Sequence, residues 1–278
     1  MSNKNKFWQR MNKHGMARLG MAILLILIAL SLLAPFLTPY GPTEVDLYAV
    51  DQGPSLTHPL GTDNLGRDVL SRCLYGGRVS LSVGFAAVGV SLVVGILYGA
   101  ASGFMGGWLD RILMGIVDGL LALPNILLVV AFYLFLEPGL TSVVLVIGGT
   151  SWMQVARLVR TQFFSLKQQD FIQATRILAT PNLKIITRHL LPNCFVSVLV
   201  ISIINIGHAI ITESTLSFLG LGIPQHEPSW GNMLMGGQMT LLNGSWWQTV
   251  FPGLFIVFTV LSINFLGDAI RDSLDVRR

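Results

Sequence analysis

Residues 79–103 read VSLSVGFAAVGVSLVVGILYGAASG, an apolar run that contains no charged side chain. A helix of roughly 20 apolar residues crosses the hydrocarbon core of a bilayer, so this run predicts a membrane-spanning helix. Five more stretches carry at most one charge each: residues 19–37, 112–136, 141–156, 195–212 and 249–267. The sequence therefore predicts about six transmembrane helices.

The composition indicates an all-α polytopic membrane protein. Of the 278 residues, 52% are hydrophobic and 12% are charged, whereas about 25% are charged in a soluble domain. So little charge excludes a soluble globular chain, and so high a hydrophobic content excludes an intrinsically disordered one. With two cysteines, the chain also lacks the composition of a disulfide scaffold.

The distribution of lysine and arginine predicts the orientation, because cytoplasmic segments carry an excess of both. Most of the 18 basic residues fall in a tail of residues 1–18, in residues 157–193 and in a tail of residues 271–278. Residues 38–78, in which we also expect an amphipathic helix, hold more acidic than basic side chains and are predicted to be external. Both termini are therefore predicted to be cytoplasmic, and residues 79–270 to form a five-helix core that includes the basic segment.

Motifs of enzymatic chemistry are missing from the sequence. It contains no G-x-x-x-x-G-K-S/T run, so this chain is not expected to bind ATP in a P-loop. It contains no H-E-x-x-H pair, and its basic residues are not interleaved with aromatic ones as in nucleic-acid-binding proteins. We therefore expect a non-enzymatic protein that itself binds neither a cofactor nor a nucleic acid.

The basic segment between the fourth and fifth predicted spans has the pattern of two short helices. Asp170 is placed to cap the first helix, with Gln173 in the capping-box position. Thr180 is placed to cap the second, with Pro181 at its first position, and Pro192 is expected to end or kink it. Such a helix pair fits a groove on a partner protein or the anionic inner surface of the membrane, and the pattern leaves both open.

The same segment resembles the EAA loop of ABC-importer permeases, in its runs FIQATRILA at residues 171–179 and HLLPN at residues 189–193. The family pattern is E-A-A, a glycine four residues after the last alanine, and a later L-P. The matched positions are Gln173, Ala174, Thr175, Ala179, Leu191 and Pro192. The sequence departs from the pattern at three of them: Gln173 replaces Glu, Thr175 replaces Ala, and Ala179 replaces Gly.

Four further runs resemble the dipeptide/oligopeptide/nickel permease family. They are LGTDNLGRD at residues 60–68, LSFLGLG at residues 216–222, PSWG at residues 228–231 and NFLGDAIRD at residues 264–272. The resemblance extends from about residue 19 to the C-terminus in the family's order. It is closest to the second of the two permease subunits in such importers.

This resemblance implies a pore-forming subunit of an ATP-driven, binding-protein-dependent importer in the bacterial inner membrane. Its implied partners are a homologous permease in a heterodimer, two cytoplasmic ATPases that bind ATP, an extracytoplasmic solute-binding protein, and membrane lipid. The EAA loop is then the coupling helix that docks on an ATPase, and transport proceeds by alternating access. The substrate class, short peptides or a nickel or other metal chelate, stays open.

Polar residues within the predicted spans are candidates for a translocation path, because such residues are costly in lipid. They are Asp118, Asn205, His208 and Glu213. His208 is a candidate metal ligand or a hydrogen-bonded core histidine, Glu213 is expected to be solvated at the external end of its span, and Asp118 is within reach of Arg111. The rival function is an ion- or proton-coupled secondary carrier that works with these ionisable groups and without an ATPase.

Two further features each have two interpretations. Asp63, Arg67 and Asp68 form either a docking surface for the binding protein or a turn in which Asp68 caps an amphipathic helix. In that helix, four side chains are expected to face the membrane: Val69, Leu70, Cys73 and Leu74. The glycine repeat at residues 95, 99 and 103 is expected to allow close helix packing or to line a pore.

Overall fold

The protein is a bundle of long helices in the computed structural model, which describes residues 15–274. Residues 1–14 of the predicted basic tail and the last four residues of the chain lie outside that range. The helices are α1 (Gly15–Leu32), α2 (Ala34–Leu37), α3 (Val69–Met105), α4 (Gly107–Leu121), α5 (Asn125–Tyr133), α6 (Leu140–Lys167), α7 (Asp170–Ile177), α8 (Asn182–Ile185), α9 (Leu191–Phe218), α10 (Trp230–Leu241) and α11 (Trp247–Leu274). Within the described range, five helical segments are long and apolar enough to cross a membrane. The number is six if α4 and α5, which are bent against each other, form a single span. The predicted all-α class and the predicted number of spans are confirmed.

Helices α3 and α6 pack against each other along the glycine repeat. A Cβ atom built on Gly95 would lie 2.6 Å from Cβ of Val155, and one built on Gly99 would lie 2.4 Å from the carbonyl oxygen of Ala156. Both distances are shorter than side chains tolerate, so only glycine allows the two backbones to approach this closely. The packing interpretation of the repeat is confirmed.

The predicted amphipathic helix of the external loop is the start of α3. Asp68 is its N-cap and accepts a hydrogen bond from the Ser71 amide at 2.7 Å. Val69, Cys73 and Leu74 are buried inside the protein, so the expectation that they face the membrane is wrong. Residues 38–68 and α10 fold over this end of α3, and we call them the cap.

The third predicted span is broken. Helices α4 and α5 meet at an angle of 92°, with Pro124 as the N-cap of α5. A proline lacks the amide hydrogen that would continue α4, and it disfavours a helical conformation in the residue before it. Tyr133 fixes the far end of α5 by donating a hydrogen bond to the Gly222 carbonyl at 2.8 Å.

The fourth and fifth spans are longer than predicted. Helix α6 continues to Lys167, which donates hydrogen bonds to the carbonyls of Gly103 and Phe104 near the end of α3. Helix α9 continues the path of α8, and a π-helical turn at Ile186–Leu190 joins them. Pro192 does not end this helix, because the wider π turn relieves the clash of its ring with the preceding turn.

Candidate coupling loop and translocation face

The predicted coupling loop is anchored on the helical bundle through apolar side chains. Ile172 of α7 and Ile185 of α8 are fully buried. They pack in one cluster with Phe163 of α6 and with Leu190 and Cys194 near the start of α9. The loop is therefore attached rigidly to both α6 and α9.

The outer side of this loop carries a second, exposed set of apolar side chains. Ile177 is 84% exposed, Leu178 is 78% exposed and Leu183 is 72% exposed, and Phe171 beside them is 44% exposed. We call these four residues the loop patch. An exposed apolar patch indicates a binding site for another protein or for a membrane surface.

The predicted caps of α7 and α8 are wrong. Gln169 is the N-cap of α7 without a side-chain hydrogen bond, and Asp170 lies in the first helical turn. An acidic side chain there still interacts favourably with the helix dipole. Gln173 instead donates a hydrogen bond to the Lys167 carbonyl at 3.0 Å, and Pro181 precedes α8 as its N-cap in place of Thr180.

The other EAA positions lie on the outside and at the end of α7. Ala174 is exposed, and Thr175 donates its hydroxyl hydrogen to the Ile172 carbonyl at 2.7 Å. Leu191 is half-buried and Pro192 is exposed at the start of α9. The loop therefore brings Gln173, Ala174 and Thr175 together on one short helix and separates them from the L-P end of the motif.

Ala179 ends α7 in a conformation that glycine prefers. Its φ is +51°, in the left-handed region that side chains with a Cβ atom disfavour. The amides of Ala179 and Thr180 bond back to the carbonyls of Arg176 and Thr175, which is the Schellman pattern that usually has glycine at this position. The family's glycine at this position therefore has a direct conformational reason, and alanine here is strained.

Ala179→Gly is expected to stabilise the end of α7 by about 1 kcal/mol, because it removes the steric cost of the left-handed conformation. Hydrogen exchange of the Thr180 amide should then slow by about fivefold. Ala174→Gly is the matched control: it lies inside the helix, so the same kind of substitution should speed exchange there by a similar factor. Equal effects of the two substitutions would contradict the strain at Ala179.

A partly exposed, mostly polar face runs along the middle of α9. His208 and Ile211 are exposed in the isolated chain, and Thr212 and Thr215, one and two turns after His208, are half-buried. We call these four residues the α9 face. His208 is therefore not a buried core histidine, as one interpretation expected. Because polar side chains are costly in lipid, such a face is expected to border a water-filled path or a partner subunit.

Asn205 and Glu213 do not lie on this exposed face. Asn205 is 5% exposed, and its Nδ2 atom has no hydrogen-bond partner among the residues that the structure describes. Glu213 is fully buried and accepts hydrogen bonds from Ser80 at 3.1 Å and from Ser217 at 2.9 Å. The expectation that Glu213 is solvated is wrong, because α3 and the segment after α9 close over it.

Asp118 pairs with Arg157 of α6, at 2.5 Å, and not with Arg111. A second ion pair, Asp110–Arg160, joins the same two helices closer to the coupling loop. Asp110 accepts two hydrogen bonds from Arg160, at 2.7 and 2.6 Å, and is 6% exposed. The sequence did not predict this buried pair, because Asp110 and Arg160 both lie outside the predicted spans, in segments that were predicted to be cytoplasmic.

The three residues proposed to contact a binding protein are bound within the cap. Asp63 pairs with Arg67 at 2.7 Å and lies 3.6 Å from Arg72, while Asp68 accepts from the Ser71 amide and lies 2.9 Å from Nδ1 of His58. Their carboxylates therefore shape the turn. The exposed residues of this turn are Asn64 and Leu65.

The sequence matches a family of known proteins over most of its length. Residues 91–278 match the family described as binding-protein-dependent transport system inner membrane component. The chain belongs to this family. Residues 5–54 match the N-terminal transmembrane domain of oligopeptide transport permease C. The chain is thus a multi-pass inner membrane permease of an ABC importer, and the rival of a self-sufficient secondary carrier is not supported.

Individual relatives are similar to this permease over almost their whole length. The dipeptide transport system permease protein DppC of Bacillus subtilis (strain 168) is 38% identical over 96% of this chain and 84% of its own. The oligopeptide transport system permease protein OppC of the same organism is 36% identical over 96% of this chain and 87% of its own. Among solved structures, an inward-facing MetNI methionine ABC transporter matches 72% of this chain and 95% of its own with a TM-score of 0.60 and 19% identity, which shows a shared fold.

Proposed function

We propose that this permease forms one half of the translocation pore of a peptide importer, beside a homologous permease subunit. The observation that carries this proposal is the loop patch, an apolar docking surface at the end of a rigid helical unit. The names of the relatives support peptides as the substrate class. The second candidate, a nickel or other metal chelate, has the exposed His208 as its candidate ligand.

The proposed coupling runs from partner ATPases through the loop into the pore. Two cytoplasmic ATPase subunits bind and hydrolyse ATP, and one of them docks on the loop patch and on the α7 positions Gln173, Ala174 and Thr175. Because Ile172 and Ile185 join the loop to α6 and α9, a displacement of the loop moves α9. The pore is thereby opened alternately to the two sides of the membrane.

The proposed path follows the α9 face, with His208 and Thr212 at its centre. Asp118 borders the path at the contact between α4 and α6. Behind the path, Glu213 holds α9 against α3 through Ser80, and the buried Asn205 lies on the same helix. On the opposite side, the solute-binding protein is proposed to contact the turn at Asn64 and Leu65. Asp63, Arg67 and Asp68 contribute by fixing the shape of that turn.

The function is tested by uptake into cells with and without this gene, using labelled dipeptide and labelled nickel in parallel. Loss of dipeptide uptake that returns with the gene is the expected result. Loss of nickel uptake alone would overturn the peptide assignment and make His208 the first residue to replace. Unchanged uptake of both would mean that the importer takes neither substrate, and the ligand of the binding protein would then have to be identified.

His208→Cys is expected to react with a membrane-impermeant maleimide, because a thiol ionises and reacts only where water reaches it. The two native cysteines, Cys73 and Cys194, are fully buried and give a low background. Val93→Cys is the matched control, since Val93 is 62% exposed on an apolar stretch of α3. The pore assignment fails if the two introduced cysteines react at the same slow rate.

A further inference from the structure

A groove opens between α1 and α3 where the two helices separate. They touch at Ser31 and Gly77, where a Cβ atom on the glycine would lie 2.1 Å from the serine oxygen. Toward its other end, α1 leaves α3 and packs on α11, where a Cβ atom on Gly20 would lie 2.9 Å from the Ser262 carbonyl oxygen. The groove between these two contacts, the α1–α3 groove, is lined mainly by Ile28, Leu32, Arg78, Leu81, Ser82 and Phe85.

Arg78 stands at one end of this groove in a fixed position. Its Nε atom donates to the Ser31 carbonyl at 2.7 Å, and one terminal nitrogen donates to the Leu32 carbonyl at 2.6 Å. Its guanidinium also lies 5.1 Å from the centre of the Tyr75 ring. The remaining N–H groups, including both on the other terminal nitrogen, are available to a ligand.

The positive charge of Arg78 is not balanced by an acidic side chain. No carboxylate in the part of the chain that the structure describes forms an ion pair with it. The end of α1 contributes the equivalent of about half a negative charge, so a net positive charge remains. A guanidinium with free donors binds phosphate with good geometry.

The position of Arg78 along α3 matches the headgroup level of a membrane. It directly precedes the uncharged run of residues 79–103, and Tyr75 beside it is a residue type that is enriched at membrane interfaces. Leu81 and Phe85 follow it by one and two helical turns, at the depth of the acyl chains. The groove is therefore cationic at the headgroup level and apolar below.

We propose that the α1–α3 groove binds one anionic phospholipid. Its phosphate lies on the free N–H groups of Arg78, and an acyl chain lies along Ile28, Leu81 and Phe85. A headgroup with a net negative charge is preferred, because a zwitterionic one brings its own cation close to the guanidinium. This site holds α1 against α3, and it is separate from the loop patch and the α9 face.

The test uses the complete importer, assembled with cysteine-free partner subunits and carrying a bimane fluorophore on Ser82→Cys. Ser82 is exposed in the groove, and the two native cysteines are buried. The complex is placed in phosphatidylcholine vesicles that contain brominated phosphatidylglycerol or brominated phosphatidylcholine. We expect brominated phosphatidylglycerol to quench with about fivefold higher apparent affinity, the effect of one basic residue near a membrane surface.

Arg78→Gln should make the two brominated lipids quench equally, and Arg78→Lys should keep part of the preference. A fluorophore on Val93→Cys, away from the groove on the same helix, should be quenched equally by both lipids. An unchanged elution volume of the Arg78→Gln complex, with unchanged quenching at position 93, shows that the variant is folded.

Three outcomes would overturn the proposal. Equal quenching of the Ser82→Cys fluorophore in the presence of Arg78 would show that the groove has no preference for anionic lipid. Absence of quenching by either lipid would show that a protein segment covers the groove. Loss of the preference when inorganic phosphate is added would assign Arg78 to a soluble anion.

Discussion

Leu178→Asp is expected to abolish substrate uptake while the permease stays folded. The side chain is 78% exposed and has no role in the core, so the fold should tolerate a charge there. In the proposed complex, the same position lies within the loop patch, beside Ile177 and Leu183. An unpaired carboxylate buried in an apolar interface is costly, and a hot-spot residue contributes at least about 2 kcal/mol, so ATPase binding should weaken by about 30-fold or more.

The measurement is the amount of ATPase that copurifies with the tagged permease, together with uptake into cells. Leu56→Asp is the matched control, because Leu56 is also a fully exposed leucine but lies in the cap. That variant should retain its ATPase subunits. Normal copurification and uptake of the Leu178→Asp variant would refute docking through the loop patch.

Asp110→Ala is expected to destabilise the permease by about 2–3 kcal/mol, the cost of losing charged hydrogen bonds at a buried carboxylate whose partner, Arg160, keeps a third of its side chain exposed. Asp110 is buried at the contact between α4 and α6, where it accepts hydrogen bonds from both Arg160 and Ser102. Without the carboxylate, the Arg160 guanidinium remains partly buried without its counterion. The effect should appear as a lower thermal unfolding temperature of the purified complex and as a smaller monodisperse fraction.

The same two helices provide a matched control in the Asp118–Arg157 pair. Its side chains are 63% and 51% exposed, and an exposed pair contributes about 0–1 kcal/mol. Asp118→Ala should therefore change the unfolding temperature little. Adding Arg160→Met to Asp110→Ala should recover part of the lost stability, because the uncompensated charge is removed. Equal losses for Asp110→Ala and Asp118→Ala would contradict a special role of the buried pair.

Local sequence signals predicted those parts of the site whose cause lies within a few residues. Asp68 caps α3 as its spacing indicates, and the two short helices of the coupling loop lie in the predicted segment. The caps of those helices were not predictable, because each depends on whether the chain enters the helix one residue earlier or later. The glycine that the family pattern has at position 179 indicates a left-handed conformation. The alanine in this chain does not indicate it.

Only the tertiary structure shows which groups the buried polar side chains contact. Glu213 looked solvated, since nothing in its neighbourhood in the sequence shows that Ser80 closes over it. Asp118 lay within reach of Arg111 on its own helix, yet it pairs with Arg157 of another helix. Such contacts depend on how helices far apart in sequence are arranged, which a single sequence does not encode in any local pattern.

The class of this protein, its apolar spans and the kind of importer to which it belongs can all be predicted from the amino-acid sequence. These properties follow from hydrophobic run length and from motifs that are read one segment at a time. Only the packed structure shows that the loop patch is exposed and that His208 faces outward while Glu213 is enclosed. The physical reason is that burial and ion pairing are properties of packed surfaces, and these exist only after the helices have come together.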